Sequence, residues 1–258
     1  MLLGLDVGNT NIKIGVFEGK NILHSWRLAA DLNKTADEYG IALLQLLESA
    51  NIKPKDIDGS IVASVIPQLN YTIEHMLDYY FKTEPIFVGP GIKTGLNIKY
   101  ENPKEVGADR IINSVSAFKK YGGPVIVVDF GTATTFNAIN SKGEFLGGCI
   151  CPGVKTAMES LVNTTAKLPR IELVLPEKVI GKTTVANMQS GLINGLVGQT
   201  RHIIKLMKDE INEEDTKVVA TGGLSELIKN ENDLIDVFDR RLSLNGLRMV
   251  YELNNTKN

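Results

Sequence analysis

The chain has very little of the residue types that build disulfide frameworks or zinc sites. Its 258 residues include two cysteines, Cys149 and Cys151, and three histidines. An intramolecular disulfide between cysteines this close is geometrically awkward, so a secreted, disulfide-stabilised protein is not expected. These residues also do not make up a tetrahedral zinc set. We therefore interpret the two cysteines as small packed side chains beside the preceding Gly147-Gly148 turn.

An excess of charge of either sign is missing as well. The chain has 28 Lys and Arg against 30 Asp and Glu, a formal net charge of -2. Dedicated nucleic-acid-binding proteins present a basic surface to the phosphate backbone, so no nucleic-acid partner is expected. The hydrophobic fraction of 43% is enough for a sizeable core, which excludes disorder as the main state.

Long apolar runs are absent too. No stretch approaches the roughly 20 residues that a membrane-spanning helix needs. The first residues, Met1–Asp6, lack the basic region and long apolar segment of a signal peptide. We expect a cytoplasmic enzyme or binding protein with no membrane partner.

The chain opens with a pattern of strand, turn and strand. Leu2–Leu5 is apolar, Asp6–Thr10 is turn-forming, and apolar residues then alternate with others from Ile12 to Val16. With a third strand near residues 22–28, this predicts an antiparallel meander. A helix is predicted over residues 35–50, because Thr35 and Glu38 fit a capping box. A strand over residues 60–64 and a helix from Pro67 follow.

The opening pattern of strand, Asp-x-Gly turn and strand recurs 123 residues later. The apolar run Val125–Val128 leads into Asp129-Phe130-Gly131-Thr132 and a second strand, and residues 217–220 form a strand that enters Thr221-Gly222-Gly223 and a helix. This order predicts a duplicated βββαβα unit. Gly122-Gly123-Pro124 is the best boundary between the copies, so we predict domains at residues 1–121 and 122–258.

The two Asp-x-Gly turns suggest phosphate binding. A tight glycine turn exposes backbone N–H groups to phosphate oxygens, and the aspartate can hold a hard cation or its water shell. A single copy is also typical of an ordinary β-turn. Two copies, each directly after a buried strand, favour the phosphate site.

A helix is predicted from Asn102 to Tyr121, because Asn102 and Pro103 form a strong helix start. Its Gly107–Arg110 segment carries an ionic pair within an apolar stretch. Gly107 would let a ligand approach closely. Asp109 could then act as a general base, and Arg110 could bind a phosphate or carboxylate. A surface or interhelical ion pair explains the same residues equally well.

Taken together, these segments resemble the type III pantothenate kinases. Asp6–Lys13 and Asp129–Thr134 resemble the two phosphate motifs, and Tyr100–Pro103 with Gly107–Arg110 resembles the most distinctive segment of the family. Further family landmarks follow in order and extend the resemblance over essentially the whole chain: Gly147-Gly148, Pro152-Gly153, Leu168-Pro169, Gly181–Thr184, Ser190-Gly191, Thr221–Gly223 and Leu242–Gly246. The Asp-x-Gly motifs are shared across the actin, sugar kinase and heat-shock chaperone superfamily, whereas Gly107–Arg110 is specific. The family usually has Asn where this chain has Thr183.

The resemblance implies an α/β fold of two ribonuclease H-like domains, with a nucleotide cleft between them, in a homodimer. It implies ATP-dependent phosphorylation of pantothenate to 4′-phosphopantothenate, the first step of coenzyme A biosynthesis. Asp109 would be the general base, Asp6 would hold Mg²⁺ directly or through water, and Asp129 would hold a monovalent cation, K⁺ or NH₄⁺. ATP would be bound by Asp6, Val7, Gly8, Asn9, Thr10, Asn11, Ile12, Lys13 and Thr132. Pantothenate would be bound by Tyr100, Gly107, Ala108, Asp109, Arg110 and Thr184.

Two alternatives remain open. The first is a different small-hydroxyl kinase of the same superfamily, such as a sugar kinase. The second is a non-catalytic accessory or regulatory protein, because members of this family have also been described as accessory factors in virulence-gene expression. The balanced charge and the presence of Asp109 argue against the second alternative.

Overall fold

The computed structural model describes residues 1–229 and 233–255, and the chain divides into two compact units. The first unit comprises Met1–Leu96, Glu101–Ser116 and the chain from Arg241 onward; the second comprises Asn97–Tyr100 and Ala117–Arg240. This division differs from the predicted single boundary after residue 121. One helix is shared between the units, and the C-terminal helix returns to the first.

The sheet of the first unit has the strand order β3-β2-β1-β4-β5. Strands β1 (Leu2–Val7), β2 (Asn11–Glu18) and β3 (Asn21–Ala29) form the predicted antiparallel meander, while β4 (Gly59–Ser64) and β5 (Pro85–Phe87) run parallel to β1. The strands of this sheet, β1, β2 and β4 above all, supply inward-facing aliphatic side chains to a continuous core.

The sheet of the second unit repeats that arrangement. Its strands are β6 (Asn97–Ile98), β7 (Val125–Phe130), β8 (Ala133–Ile139), β9 (Glu144–Pro152), β10 (Lys217–Thr221) and β11 (Val237–Phe238). The order is β11-β10-β7-β8-β9-β6, so β9-β8-β7-β10-β11 corresponds to β3-β2-β1-β4-β5 with matching strand directions. This is the ribonuclease H-like arrangement, and it confirms the predicted duplication for the strands.

Among the described residues the α-helices are α1 (Ala36–Ser49), α2 (Pro67–Phe81), α3 (Ala108–Tyr121), α4 (Val154–Thr164), α5 (Thr184–Ile211) and α6 (Leu242–Asn254). Helix α1 begins with the predicted capping box of Thr35 and Glu38. In the part of the chain that the structure describes, no helix is both long enough and apolar enough to cross a membrane.

Two helix predictions were wrong. Asn102 does cap the N–H of Lys104, but Pro103–Glu105 forms only one 3-10 turn, because Val106 is extended. Helix α3 begins at Ala108, so Asp109 is its second residue and not a mid-helix residue. After Gly223 the chain forms a single 3-10 turn, Ser225–Ile228, up to residue 229.

Glycines explain why α6 belongs to the first unit. A Cβ atom on Gly15 would lie 3.2 Å from Leu244 Cδ2, and one on Gly4 would lie 3.4 Å from Leu247 Cδ1. These glycines of β1 and β2 let α6 bury its leucines against the sheet, which removes apolar surface from water. Helix α6 therefore covers the face of the sheet that Gly4 and Gly15 line, opposite the core of the first unit.

Candidate active site

The first Asp-x-Gly hairpin carries a charged pair. Asp6 and Lys13 are cross-strand neighbours on β1 and β2, and Lys13 Nζ lies 3.0 Å from Asp6 Oδ2. Asp6 is only 5% exposed, and a buried carboxylate needs a counter-charge. Lys13 Nζ also donates to Ser243 Oγ at 3.4 Å, at the start of α6. No local sequence pattern indicates this contact, because 230 residues separate the two positions.

The turn of this hairpin presents its polar residues outward. Gly8 N–H donates to Asn11 O at 3.0 Å. Asn9, Thr10 and Asn11 are exposed, which is the arrangement that a phosphate site requires. Val7 and Ile12 are each 1% exposed and pack in the core. Of the residues predicted to bind ATP, these two can therefore offer only main-chain atoms.

Removing Lys13 should reveal how strongly it supports Asp6. We expect Lys13→Met to lower the free energy of unfolding by about 3 kcal/mol, because a buried carboxylate loses its cation. The double variant Asp6→Asn/Lys13→Met should regain most of that loss. Urea unfolding measures both, with Lys20→Met, at the exposed β2–β3 turn, as the control. If Lys13→Met costs no more stability than Lys20→Met, the ion pair does not support the hairpin.

The second hairpin differs at the corresponding position. Asp129 lies opposite Thr135 on β8, where Asp6 lies opposite Lys13, and its parallel neighbour on β10 is Thr221. Gly131 N–H donates to Ala133 O at 3.1 Å, which closes a turn one residue shorter than the first. Thr132, at the tip, is exposed.

Gly222 shapes the surroundings of Asp129. Its φ is +95°, a left-handed conformation that favours glycine. A Cβ atom at this position would lie 2.5 Å from Asp129 Oδ1 and 2.5 Å from Phe130 O. Gly222 belongs to a segment that resembles a family landmark. Only the structure shows that it makes room for the Asp129 carboxylate.

The carboxylate of Asp109 lies over the N-terminus of α3. Asp109 Oδ1 accepts the N–H of Arg110 at 2.7 Å, and the positive end of the helix dipole stabilises a negative charge there. A Cβ atom on Gly107 would lie 2.6 Å from the same Oδ1 atom. Gly107 thus leaves space for the carboxylate of Asp109 itself, which the sequence pattern does not indicate.

The same segment lies beside the first hairpin. Val65 Cγ1 is 3.7 Å from the Cβ position of Gly107, and Val65 N–H donates to Val7 O at 3.0 Å. Val65 therefore links the segment that holds Asp109 to the end of β1. Arg110 is only 6% exposed, so a surface ion pair does not explain it.

The remaining residues predicted to bind substrate have different surroundings. Tyr100 and Thr184 belong to the second unit, whereas Gly107–Arg110 belongs to the first. Tyr100 packs against Phe145 with ring centroids 6.3 Å apart, and Thr184 is exposed at the first position of α5. The side chain of Ala108 is buried.

The one departure from the family pattern has a structural role. Thr183 is the N-cap of α5, and its hydroxyl accepts the N–H of Ala186 at 3.1 Å. Asn and Thr are both favoured caps. The exchange therefore preserves the helix start that presents Thr184.

The donor groups fit a magnesium ion that is shared with phosphates. Within residues 1–229 and 233–255, no cluster of three or more His, Cys, Asp or Glu side chains could hold a metal ion. Magnesium usually binds one or two carboxylates and keeps waters and substrate phosphates as its other ligands. A single carboxylate such as that of Asp6 suits this chemistry.

The cysteines show no sign of a reactive site. Cys149 and Cys151 are both free thiols on β9. Burial, together with the neighbouring Cys149, raises the pKa of the Cys151 thiol. A raised pKa keeps the Cys151 thiol protonated and unreactive. Cys151 is half-buried, whereas Cys149 is exposed, so the interpretation of both cysteines as packed side chains was wrong for Cys149.

Solved structures share this architecture over nearly their whole length. A Sinorhizobium meliloti protein provisionally assigned as a 2-dehydro-3-deoxygalactonokinase matches with a TM-score of 0.65 at 11% identity, covering 100% of this chain and 98% of its own. A Campylobacter jejuni protein provisionally assigned to the Baf family of transcriptional activators matches with a TM-score of 0.58 at 20% identity, covering 97% of each chain. A Listeria monocytogenes protein provisionally assigned as an N-acetylmannosamine kinase matches with a TM-score of 0.52 at 14% identity, covering 100% of this chain and 99% of its own. At these identities the likeness is one of fold alone.

A comparison with family models identifies the particular family. The model of the type III pantothenate kinases matches residues 2–206, and the chain belongs to this family. Membership implies a kinase that uses ATP with Mg²⁺ and acts on a small molecule. The matched range includes both Asp-x-Gly hairpins and Gly107–Arg110.

Proposed function

We propose that this protein transfers the γ-phosphoryl group of ATP to the primary hydroxyl of pantothenate. The product is 4′-phosphopantothenate, the first intermediate toward coenzyme A. The observation that carries the proposal is the position of Asp109. Its carboxylate lies at a helix N-terminus, in space that Gly107 leaves open, beside the β1 strand that bears Asp6. Family membership supports the same reaction.

Both hairpins would act on ATP. Backbone N–H groups of Asn9–Asn11 and of Thr132 would donate to phosphate oxygens, because tight glycine turns expose such donors, while the N–H groups of Gly8 and Gly131 close the two turns. Lys13 would offset phosphate charge, and Asp6 would hold Mg²⁺ directly or through water. When bound, Mg²⁺ neutralises charge on the phosphates. In phosphoryl transfer generally, such positioning and charge neutralisation supply most of the catalysis.

Asp109 would accept the proton of the substrate hydroxyl. The oxygen then forms a bond to the γ-phosphorus while the bond from phosphorus to the ADP oxygen breaks, and ADP leaves with that electron pair. A carboxylate can take this role only when the hydroxyl lies within hydrogen-bond reach. Arg110 would bind the carboxylate of pantothenate. The rest of the substrate would contact Tyr100, Gly107, Ala108 and Thr184.

A coupled assay of ATP consumption tests the substrate. Turnover is expected with pantothenate and Mg²⁺, and not with hexoses, N-acetylhexosamines or keto-deoxy sugars. Turnover with a sugar and none with pantothenate would point to a sugar kinase. Binding of ATP without turnover on any hydroxyl compound would favour an accessory regulator, the class to which the Campylobacter jejuni protein is provisionally assigned.

A monovalent cation should activate this reaction. We propose that Asp129 holds K⁺ or NH₄⁺, so omission of both should lower the rate with pantothenate at least about tenfold, a loss of more than 1 kcal/mol. Asp129→Asn should be slow with or without K⁺. Asp233→Asn, an exposed acid of the second unit, should keep the full response. An unchanged K⁺ dependence in Asp129→Asn would show that Asp129 has another role.

We further propose a cytoplasmic homodimer without nucleic-acid or membrane partners. The family resemblance supports the dimer, and the balanced charge supports the absence of nucleic acid. Sedimentation equilibrium measures the oligomeric state directly.

A further inference from the structure

The start of α4 supports the tip of the second hairpin. The carbonyl of Thr132 accepts two hydrogen bonds, from Gly153 N–H at 3.0 Å and from Thr156 Oγ1 at 2.6 Å. Gly153 is the N-cap of α4. A Cβ atom on Gly153 would lie 2.3 Å from Gly131 O and 2.5 Å from Thr132 O. The turn is thus in direct contact with the first residues of α4.

The turn of the first hairpin makes the corresponding backbone hydrogen bond. There Thr10 O accepts Ala30 N–H at 3.0 Å. Ala30 follows β3 directly, just as Gly153 follows β9. In each unit, the carbonyl of the turn threonine therefore accepts an N–H from the residue that follows the third strand of the antiparallel meander. In the second unit, the threonine carbonyl also accepts a second hydrogen bond, from the hydroxyl of Thr156.

These bonds set the direction of a backbone donor. The Thr132–Ala133 peptide is trans, so its C=O and N–H point in opposite directions within a rigid plane. With Thr132 O held by α4, the N–H of Ala133 is directed away from the helix. The side chain of Thr132 is exposed. Backbone N–H groups of such turns are the donors that bind phosphate oxygens.

We propose that Thr156 is a positioning residue for ATP binding. It acts through Thr132, by holding the peptide plane of the turn in the orientation that phosphate binding requires. The proposal rests on the proposed function in one respect, namely that the second hairpin binds ATP phosphates. It adds a residue of α4 that neither the sequence pattern nor the hairpin motif includes.

A set of threonine variants tests this role. Thr156→Val removes the hydroxyl and keeps the branched shape, while Thr156→Ser keeps the hydroxyl. Thr164→Val is a matched control, because Thr164 lies on the same helix and its hydroxyl donates to Ser160 O at 2.6 Å. Calorimetry measures the Kd of Mg-ATP without an acceptor, and steady-state kinetics measures the KM of each substrate and kcat.

Thr156→Val should weaken ATP binding selectively. We expect its Kd and KM for ATP to rise about fivefold to tenfold, which corresponds to one lost hydrogen bond. The KM for the acceptor and kcat should stay within about twofold of the wild type. The lost contact would stabilise bound ATP equally in the ground state and in the transition state. Thr156→Ser should restore ATP binding, and Thr164→Val should leave it unchanged.

Several outcomes would overturn the proposal. These are an unchanged Kd in Thr156→Val, an equal loss in Thr164→Val, and a failure of serine to restore binding. If the valine variant does not fold, as judged by thermal unfolding, Thr156→Ala provides the same comparison. Because binding is read without an acceptor, inactivity toward pantothenate would refute only the proposed substrate. A wild-type protein that does not bind Mg-ATP would refute both proposals.

Discussion

Asp109→Asn is expected to lower kcat with pantothenate by about a hundredfold to ten-thousandfold, the usual contribution of a general base. The amide has nearly the same shape as the carboxylate and can still accept the Arg110 N–H, which the native Oδ1 accepts at 2.7 Å. It cannot take a proton from the substrate hydroxyl. The Kd of Mg-ATP should therefore stay close to that of the wild type.

Asp37→Asn is the matched control for this variant. Asp37 is the second residue of α1, just as Asp109 is the second residue of α3, and it accepts a hydrogen bond from Tyr80 Oη at 2.7 Å. Its removal should lower thermal stability slightly and leave kcat unchanged. Near-normal turnover in Asp109→Asn would disprove the assignment of the base, even if the phosphorylation of pantothenate were confirmed.

Gly222→Ala is expected to destabilise the second unit and to disable the second hairpin. The left-handed φ of +95° disfavours a side chain, at about 1–3 kcal/mol for such a conformation. The added methyl group would also lie 2.5 Å from Asp129 Oδ1 and from Phe130 O. Both oxygens must move, so the response to K⁺ should be lost together with part of the stability.

Gly223→Ala provides the comparison one residue later, where an added Cβ atom meets nothing within 4 Å. This variant should keep its melting temperature and its activation by K⁺. Differential scanning calorimetry and the K⁺ titration of the rate measure the two effects separately. Equal behaviour of the two variants would show that Gly222 is not needed to make room for Asp129.

The sequence predicted those elements whose signals are local. The apolar alternation and the Asp-x-Gly turns located both hairpins, and the capping box of Thr35 and Glu38 located α1. The start of α3 was mispredicted, because Asn102 and Pro103 begin a 3-10 turn with the same capping chemistry that begins a helix. The local sequence does not distinguish a 3-10 turn from the start of an α-helix. The difference becomes visible only at Val106, whose backbone is extended.

Contacts between distant segments were beyond the reach of sequence patterns. Ser243 reaches Lys13 across 230 residues, and Thr156 reaches Thr132 only because β9 returns the chain to the hairpin. The value of Gly222 depends on its φ and on the carboxylate beside it, neither of which composition reveals. The residues that carry charge could be named from sequence, while the residues that hold them in place could not.

The return of α6 to the first sheet has a consequence for synthesis on the ribosome. The strands β1 and β2 are made before the other described strands of both units, yet the leucines that cover Gly4 and Gly15 belong to α6, which is made after those strands. Domains usually fold in the order in which they are synthesised. Here the second unit has all its strands before the first unit is complete. The nascent N-terminal sheet therefore has one apolar face open to other chains or to chaperones until α6 has been synthesised.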